Sequence, residues 1–467
     1  MKHFLLPLVA ITIFFSETAV LPSDNLREEG LKNSFNIVLI TIDTLRADHL
    51  SCYGYERKTS PNIDKIAQNG FIFKNAMAPS SWTAPSVASL CTSLYPISHG
   101  MVHGIADTIN NQEILSENIT TLAELVKAYG YCTFGVVSNS HLDKKFGFGK
   151  GFDYFKCLPF LPASYVHETI DSWADTIKKS KKYFLWVHYF DPHWPYWPYQ
   201  PRESWLDKYL AEMQDRDMDY KRSLIKKILS GKHHAIAPLL TQNHPMALFL
   251  LKALYDSEIN HVDSYVGTLI EKFNLDTNTL IIITSDHGDE FLEHGNIGHG
   301  KNLYRETIRI PLIIKLPERT SGKITEQPVN LVDIMPSILY ILGITPPEHS
   351  AGSSVFTRNE LKKFSLREEK SPHTFAELDL KNSLKTIITP EWKYIYDYHN
   401  KTEQLYNLTT DPFEQKDMSN NTSTVTRKLR EQLFNWVSHS IKYPPTIQPS
   451  QLSPEEKEKL EELGYIQ

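Results

Sequence analysis

Short, continuous apolar runs punctuate this chain. Asn36–Ile42 (NIVLITI) and Leu280–Thr284 (LIIIT) are rich in β-branched residues, as expected of strands buried on both faces of a parallel sheet. Phe134–Ser138, Tyr183–His188 and Ile310–Lys315 are further runs of this kind. Helical stretches alternate with them over Asn62–Asn69, Pro85–Leu94, Thr121–Tyr129 and His167–Lys179. Thr121 with Glu124 has the form of a capping box opening one of these helices. The alternation predicts an α/β fold, a large mostly parallel sheet flanked by helices. The more polar stretch from Trp205 to His244 reads as an insertion of helices and loops flanking the site. After Val332-Asp333-Ile334-Met335-Pro336 the composition changes. Trp392–Tyr396 and Glu403–Leu408 read as paired strands of a small antiparallel sheet, and Pro454–Leu463 as a charged helix ending near Gly464.

At 467 residues the chain exceeds one typical core. The expected division is a large domain over 35–345 and a C-terminal subdomain over 346–467. A net charge of -6 without a basic stripe argues against nucleic acid as a partner. Met1-Lys2-His3 and the apolar run Phe4–Phe15 read as a signal peptide over residues 1–20, since twelve positions are too few to span a bilayer. The expected location is therefore secreted or periplasmic, with no integral membrane domain beyond that segment. Cys52, Cys91, Cys132 and Cys157 show no C-x-x-C spacing, which excludes a zinc ribbon or thioredoxin motif; an exported location permits one disulfide.

Two carboxylates stand at the carboxyl ends of the two most apolar strands: Asp43 after NIVLITI and Asp286 after LIIITS. That edge is where open α/β sheets bind ligands. Asp286-His287-Gly288 offers oxygen and imidazole ligands on a tight turn, and Asp43 supplies a third ligand. Such a set suits Ca²⁺, Mg²⁺ or Mn²⁺, with Zn²⁺ also compatible. Between them, Thr83 reads as the N-cap of a helix with Pro85 in its first turn. A helix start directs N–H groups at an anion, and a hydroxyl there beside a metal is suited to attack a sulfuryl or phosphoryl centre.

The stretch Asn36–Leu50 (NIVLITIDTLRADHL) resembles the opening strand and first metal loop of the sulfatase family, within the alkaline phosphatase superfamily. Thr59–Asp64, the segment from Thr83 to Gly100, Ser285–Glu290 with Gly298-His299-Gly300, and Leu405–Pro412 resemble further motifs of that family in the same order. The resemblance implies the alkaline-phosphatase-like sandwich with its small C-terminal antiparallel sheet. It also implies Asp43, Asp286 and His287 as ligands of one divalent metal ion, Ca²⁺ by family, with Mn²⁺ or Zn²⁺ as alternatives. Thr83 falls at the nucleophile position. His193 matches a histidine that binds the ester oxygens or protonates the leaving group, and His141 and Asn139 fall where many sulfatases carry His and Lys. His299 sits where a Lys or His contacts the anion, and His99 in the Leu94–Gly100 run completes the expected anion contacts.

The chain departs from the family where chemistry matters. Thr83 replaces the Cys or Ser that becomes formylglycine, Val87 replaces the signature Arg, and Thr44 replaces a second acid. Oxidation of a threonine gives a ketone, so the hydrated-aldehyde route is not expected. Three readings follow. The first is a metal-dependent hydrolase of sulfate or phosphate esters on a small molecule or glycan. The second is a Thr-dependent phosphodiesterase or phosphotransferase, and the third is a non-catalytic anion- or glycan-binding relative.

Overall fold

Nine strands form the central sheet: β1 (Asn36–Ile42), β2 (Phe71–Met77), β3 (Cys132–Val137), β4 (Tyr154–Cys157), β5 (Tyr183–Tyr189), β6 (Thr279–Thr284), β7 (Arg309–Ile310), β8 (Leu312–Lys315) and β9 (Lys323–Asn330). Their order is β7-β2-β8-β6-β1-β5-β3-β4, with β9 beside β2. β1 pairs in parallel with β5 and with β6. The parallel run continues from β5 through β3 to β4, and β8 is antiparallel to β6 and β2. The computed structural model describes residues 35–103, 111–196, 223–228, 245–275, 277–358, 364–367, 373–380, 382–420, 423–449 and Pro454. The expected signal segment, most of the 205–244 insertion and the terminal helix beyond Pro454 lie outside those residues.

β1 lacks a polar face because it has no solvent face. Ile37 and Leu39 point into one apolar layer with α1 (Thr83–Thr92) and α4 (Ile334–Leu342). Val38, Ile40 and Ile42 point into a second layer with α2 (Ala163–Lys179) and α3 (Met246–Phe273). The strand's two-residue alternation thus feeds two cores. The capping box forms as expected: Thr121 accepts from the Glu124 amide at 3.3 Å and Glu124 accepts from the Thr121 amide at 2.9 Å.

Four antiparallel strands, β10 (Thr374–Asp379), β11 (Ser383–Ile388), β12 (Trp392–Asp397) and β13 (Thr402–Asn407), make the small C-terminal sheet. Helix α5 (Ser423–His439) closes it, with Leu429 and Leu433 against Phe375, Ile387, Tyr394 and Leu405. The apolar pattern did not announce α3, the 28-residue helix. Its buried face includes Asp256, Ser257, Glu258, His261 and Asp263, which interrupt the stripe. These polar groups have partners: Asp263 accepts from the amides of Asn62 and Ile63 at 3.0 and 2.8 Å and so caps the helix Pro61–Ala67. The four cysteines are free thiols.

Candidate active site

Adjacent parallel strands bring four chain segments to one sheet edge. β1 ends into Asp43, β6 leads through Ser285 to Asp286 and His287, β5 carries His188 one residue before its end, and β3 leads through Ser138 to Asn139. Thr41 of β1 lies opposite His188 on one side and Thr284 on the other, which fixes the level at which these ends meet. The Ser285 hydroxyl bridges the two loops, 2.7 Å from the Ile42 carbonyl and accepting from the Leu45 amide at 2.9 Å. Gly288 is required by close approach, since a Cβ there would stand 2.1 Å from the Glu306 carbonyl oxygen.

Three ligand atoms converge at this edge, on Asp43, Asp286 and His287, all within 4.8 Å of one another. His287 Nε2 stands 3.6 Å from Asp43 Oδ1 and 3.5 Å from Asp286 Oδ2. Those two oxygens are buried without a hydrogen-bond partner. The other carboxylate oxygens are occupied: Asp43 Oδ2 accepts from Asn139 Nδ2 at 2.8 Å, and Asp286 Oδ1 accepts from the His287 amide at 2.9 Å. His287 Nδ1 donates to the Gly288 carbonyl at 2.9 Å, which leaves Nε2 as an acceptor. Buried acceptors without donors are destabilising. One cation held at about 2.0–2.5 Å from each atom would satisfy all three. The donor set therefore fits a divalent metal ion.

The charges agree with that fit. Burial raises Asp43, but the hydrogen bond with His188 and the neighbouring His193 and His287 outweigh it and hold its carboxyl below the usual range. Burial, then the charge of Asp43, raises Asp286. Two carboxylates in one dry site repel, and a cation between them removes the conflict. The first loop is also braced: Arg46 grips Asp48 at 3.0 and 2.8 Å and the Asp289 carbonyl at 2.9 Å. The Tyr255 hydroxyl of α3 donates to the Thr44 carbonyl at 2.7 Å. Thr44 itself takes a left-handed φ of 56°, unfavourable for a β-branched residue.

Thr83 is fully buried with its Oγ1 3.3 Å from His287 Nε2 and 3.5 Å from Asn139 Nδ2. It is the first residue of α1; Trp82, extended and without a side-chain cap bond, holds the N-cap position expected for Thr83. The histidines surround this point. The His299 ring lies 4.4 Å from that of His287 and 4.9 Å from that of His193, and the His141 ring meets Trp82 edge-on at 5.6 Å. His299 Nδ1 pairs with Asp289 at 3.0 Å, and His193 Nδ1 is held by the Trp194 carbonyl. Burial pulls His193 down to about 4, His141 to about 3, and His299 well below its ordinary value. At neutral pH these are uncharged imidazoles.

His99 is the exception among the expected anion contacts. Its Nε2 bonds Ser89 Oγ at 3.0 Å and its Nδ1 accepts from the Met101 amide at 3.1 Å, so the ring fastens the Pro96–His99 turn to α1. Conversely, His188 was not singled out from the sequence, yet it stands 3.4 Å from Asp43 Oδ2 and 2.7 Å from Thr41 Oγ1. A histidine one residue before the end of an otherwise apolar strand beside β1 was the available signal. Val87, at the expected arginine position, packs into the apolar layer with Ala84 and Ala88.

Comparison with known proteins identifies the family. The family profile described as Sulfatase matches residues 35–344, and that of the N-sulphoglucosamine sulphohydrolase C-terminal region matches 293–439. An N-acetylgalactosamine-6-O-sulfatase of Bacteroides thetaiotaomicron is 26% identical, covering 85% of this chain and 92% of its own. A solved 2-O GAG sulfatase superposes with a TM-score of 0.68 at 18% identity, over 87% of this chain and 92% of that one. The phosphonate monoester hydrolase of Agrobacterium radiobacter superposes with a TM-score of 0.67 at 19% identity, over 86% and 95%. The last two likenesses concern the fold, which is that of the alkaline phosphatase superfamily. By sequence, fold and the strand-end cluster together, the chain belongs to the sulfatase family.

Proposed function

We propose that this sulfatase-family hydrolase acts on sulfate esters carried by a glycan, with Thr83 as the attacking group. The observation that carries the reading is the Thr83 hydroxyl 3.3 Å from His287 Nε2, beside two buried carboxylate oxygens that lack partners. The relatives named above for glycan sulfates support the substrate class. Asp43, Asp286 and His287 would hold the ion; when bound, it supplies positive charge that favours ionisation of the Thr83 hydroxyl and polarises the ester. Ca²⁺ is the ion we favour.

Thr83 Oγ1 forms a bond to sulfur as the bond from sulfur to the sugar oxygen breaks. Asn139 Nδ2 orients both Thr83 and Asp43. His193, neutral and with Nδ1 fixed on Trp194, accepts the Thr83 proton at Nε2 and passes it to the departing sugar oxygen. His299 and His141 line the anion pocket. Water then cleaves the threonyl sulfate and restores Thr83. A plain hydroxyl nucleophile also suits phosphorus, and this single feature favours phosphate esters as the second reading.

Turnover of matched aryl sulfate, phosphate monoester and phosphate diester by the wild type and Thr83→Ala tests the reading. Loss of at least about a thousandfold is expected on the preferred ester. Equal activity of the two proteins removes Thr83 from the chemistry. Preference among the esters decides between sulfur and phosphorus, and the mass of the Thr83 peptide after incubation reports the covalent step.

A further inference from the structure

A cavity lined by none of the strand-end residues lies between the central sheet and the small C-terminal sheet. It has a volume of about 190 Å³. Arg309 of β7 and Arg305, four residues earlier, line one wall; Thr374 of β10, Thr389, Lys393 of β12 and Glu414 line the other. Lys393 Nζ contacts both Glu414 oxygens, at 3.0 and 2.8 Å, and that pair is buried. The Glu414 charge is therefore committed to Lys393, which leaves the two arginines.

Neither guanidinium has an ion-pair partner among the described residues. Arg309 Nε donates to the Lys74 carbonyl at 3.1 Å. Arg305 donates to the Pro412 carbonyl and lies 4.8 Å from the Phe413 ring centre. A guanidinium carries five N–H donors, so most of those on this wall have no acceptor among the described residues. Arg309 is half-buried, and burial together with the like charge of Arg305 lowers its affinity for its own proton. Asp48 and Glu326 act on it only at a distance. Two adjacent guanidinium forks lining a cavity match the planar, multi-donor recognition of a tetrahedral oxyanion.

We infer that this crevice is an accessory oxyanion site, taking a sulfate group between Arg305 and Arg309 where the two sheets meet. This assignment does not depend on the reaction at Thr83. The sulfate could arrive free or as an ester on a second sugar, and both present the same oxygens.

Crystals of the full chain soaked in sodium selenate give the direct test. Anomalous scattering at the crevice, within hydrogen-bond reach of both arginines, supports the site; saturating selenate without a peak there overturns it, whatever the behaviour of variants. In solution, calorimetric titration of the full chain with sodium sulfate is compared with sodium chloride at matched ionic strength. The Arg305→Gln/Arg309→Gln double variant should weaken the crevice component about tenfold or more while leaving aryl ester turnover within about twofold. An unchanged isotherm in a variant with wild-type circular dichroism overturns the assignment. Titration with a sulfated disaccharide and its desulfated counterpart separates the sources: tighter binding of the sulfated sugar than of free sulfate shows delivery on a glycan, and the reverse shows the free ion.

Discussion

Among the described residues, two groups of carboxylates and histidine have ligand-like spacing, and only one of them is built for an ion. Asp43, Asp286 and His287 bring together three atoms, two of which are buried oxygens without any donor. Glu290, His294 and Glu306 also approach within 4.8 Å. There, however, Glu290 accepts from the amides of His294 and Asn296 at 2.9 and 2.7 Å and from Asn302 at 2.5 Å. His294 donates from Nδ1 to Glu306 at 2.6 Å and from Nε2 to the Glu414 carbonyl at 2.9 Å. An imidazole donating from both nitrogens is a cation and has no lone pair for a metal. Residue type and spacing are shared; the difference lies in which atoms remain unsatisfied. The second cluster supplies its own cation, and the first requires one from outside.

Exchanging one carboxylate in each cluster separates the two most strongly. Asp286→Asn should abolish uptake of a stoichiometric divalent ion and lower ester turnover by at least about a thousandfold. Glu306→Gln should leave metal content unchanged. Elemental analysis and aryl ester turnover read both. An Asp286→Asn protein that keeps its ion would show that the partnerless oxygens are not the site. Next in size is His294→Ala, which leaves Glu306 buried without its cation. A loss of about 3 kcal/mol in denaturant unfolding is expected, with metal stoichiometry unchanged. Smaller again is chelation. Removing an ion present at a hundred times its dissociation constant should cost the wild type about 2.7 kcal/mol. His294→Ala should lose the same amount and Asp286→Asn nothing, and equal losses in all three would place the ion elsewhere.

The sequence made one half of this contrast legible and hid the other. Asp43, Asp286 and His287 could be read because each follows a continuous apolar strand, and the ends of parallel strands are where ligands gather. His188 could not be placed: its role depends on β5 lying beside β1, a pairing 147 residues away that no local pattern records. Tyr255 was hidden for the same reason, since it braces a carbonyl 211 residues distant from a helix whose apolar stripe is broken by buried polar groups. His99 misled in the opposite direction, because its neighbourhood resembles an anion contact while its ring is satisfied by Ser89 and Met101. The N-cap at Trp82 was missed because cap preferences favour threonine over tryptophan, whereas the chain enters α1 extended through Trp82 so that Thr83 begins the helix against His287.

The smallest predicted effect is also the most diagnostic of the second cluster, because it distinguishes a built-in cation from an imported one. Burial opposes protonation of His294, but the hydrogen bonds to Glu306 and to the Glu414 carbonyl outweigh it and raise the group above its ordinary value. A folded state that binds the proton more tightly than the unfolded chain is stabilised by it. That contribution is complete below the unfolded value of about 6.5 and is lost as pH rises through the raised folded value. Tyr304 stacks on the ring at 3.7 Å and Gln415 contacts it at 3.3 Å, and the charges of Glu306 and then Glu414 also raise it. Thermal unfolding of the wild type and His294→Gln should therefore diverge most below the unfolded value and converge as pH rises through the raised folded value. Parallel curves across that range would mean that His294 is neutral in the folded protein, and its cluster would then have a lone pair to offer after all.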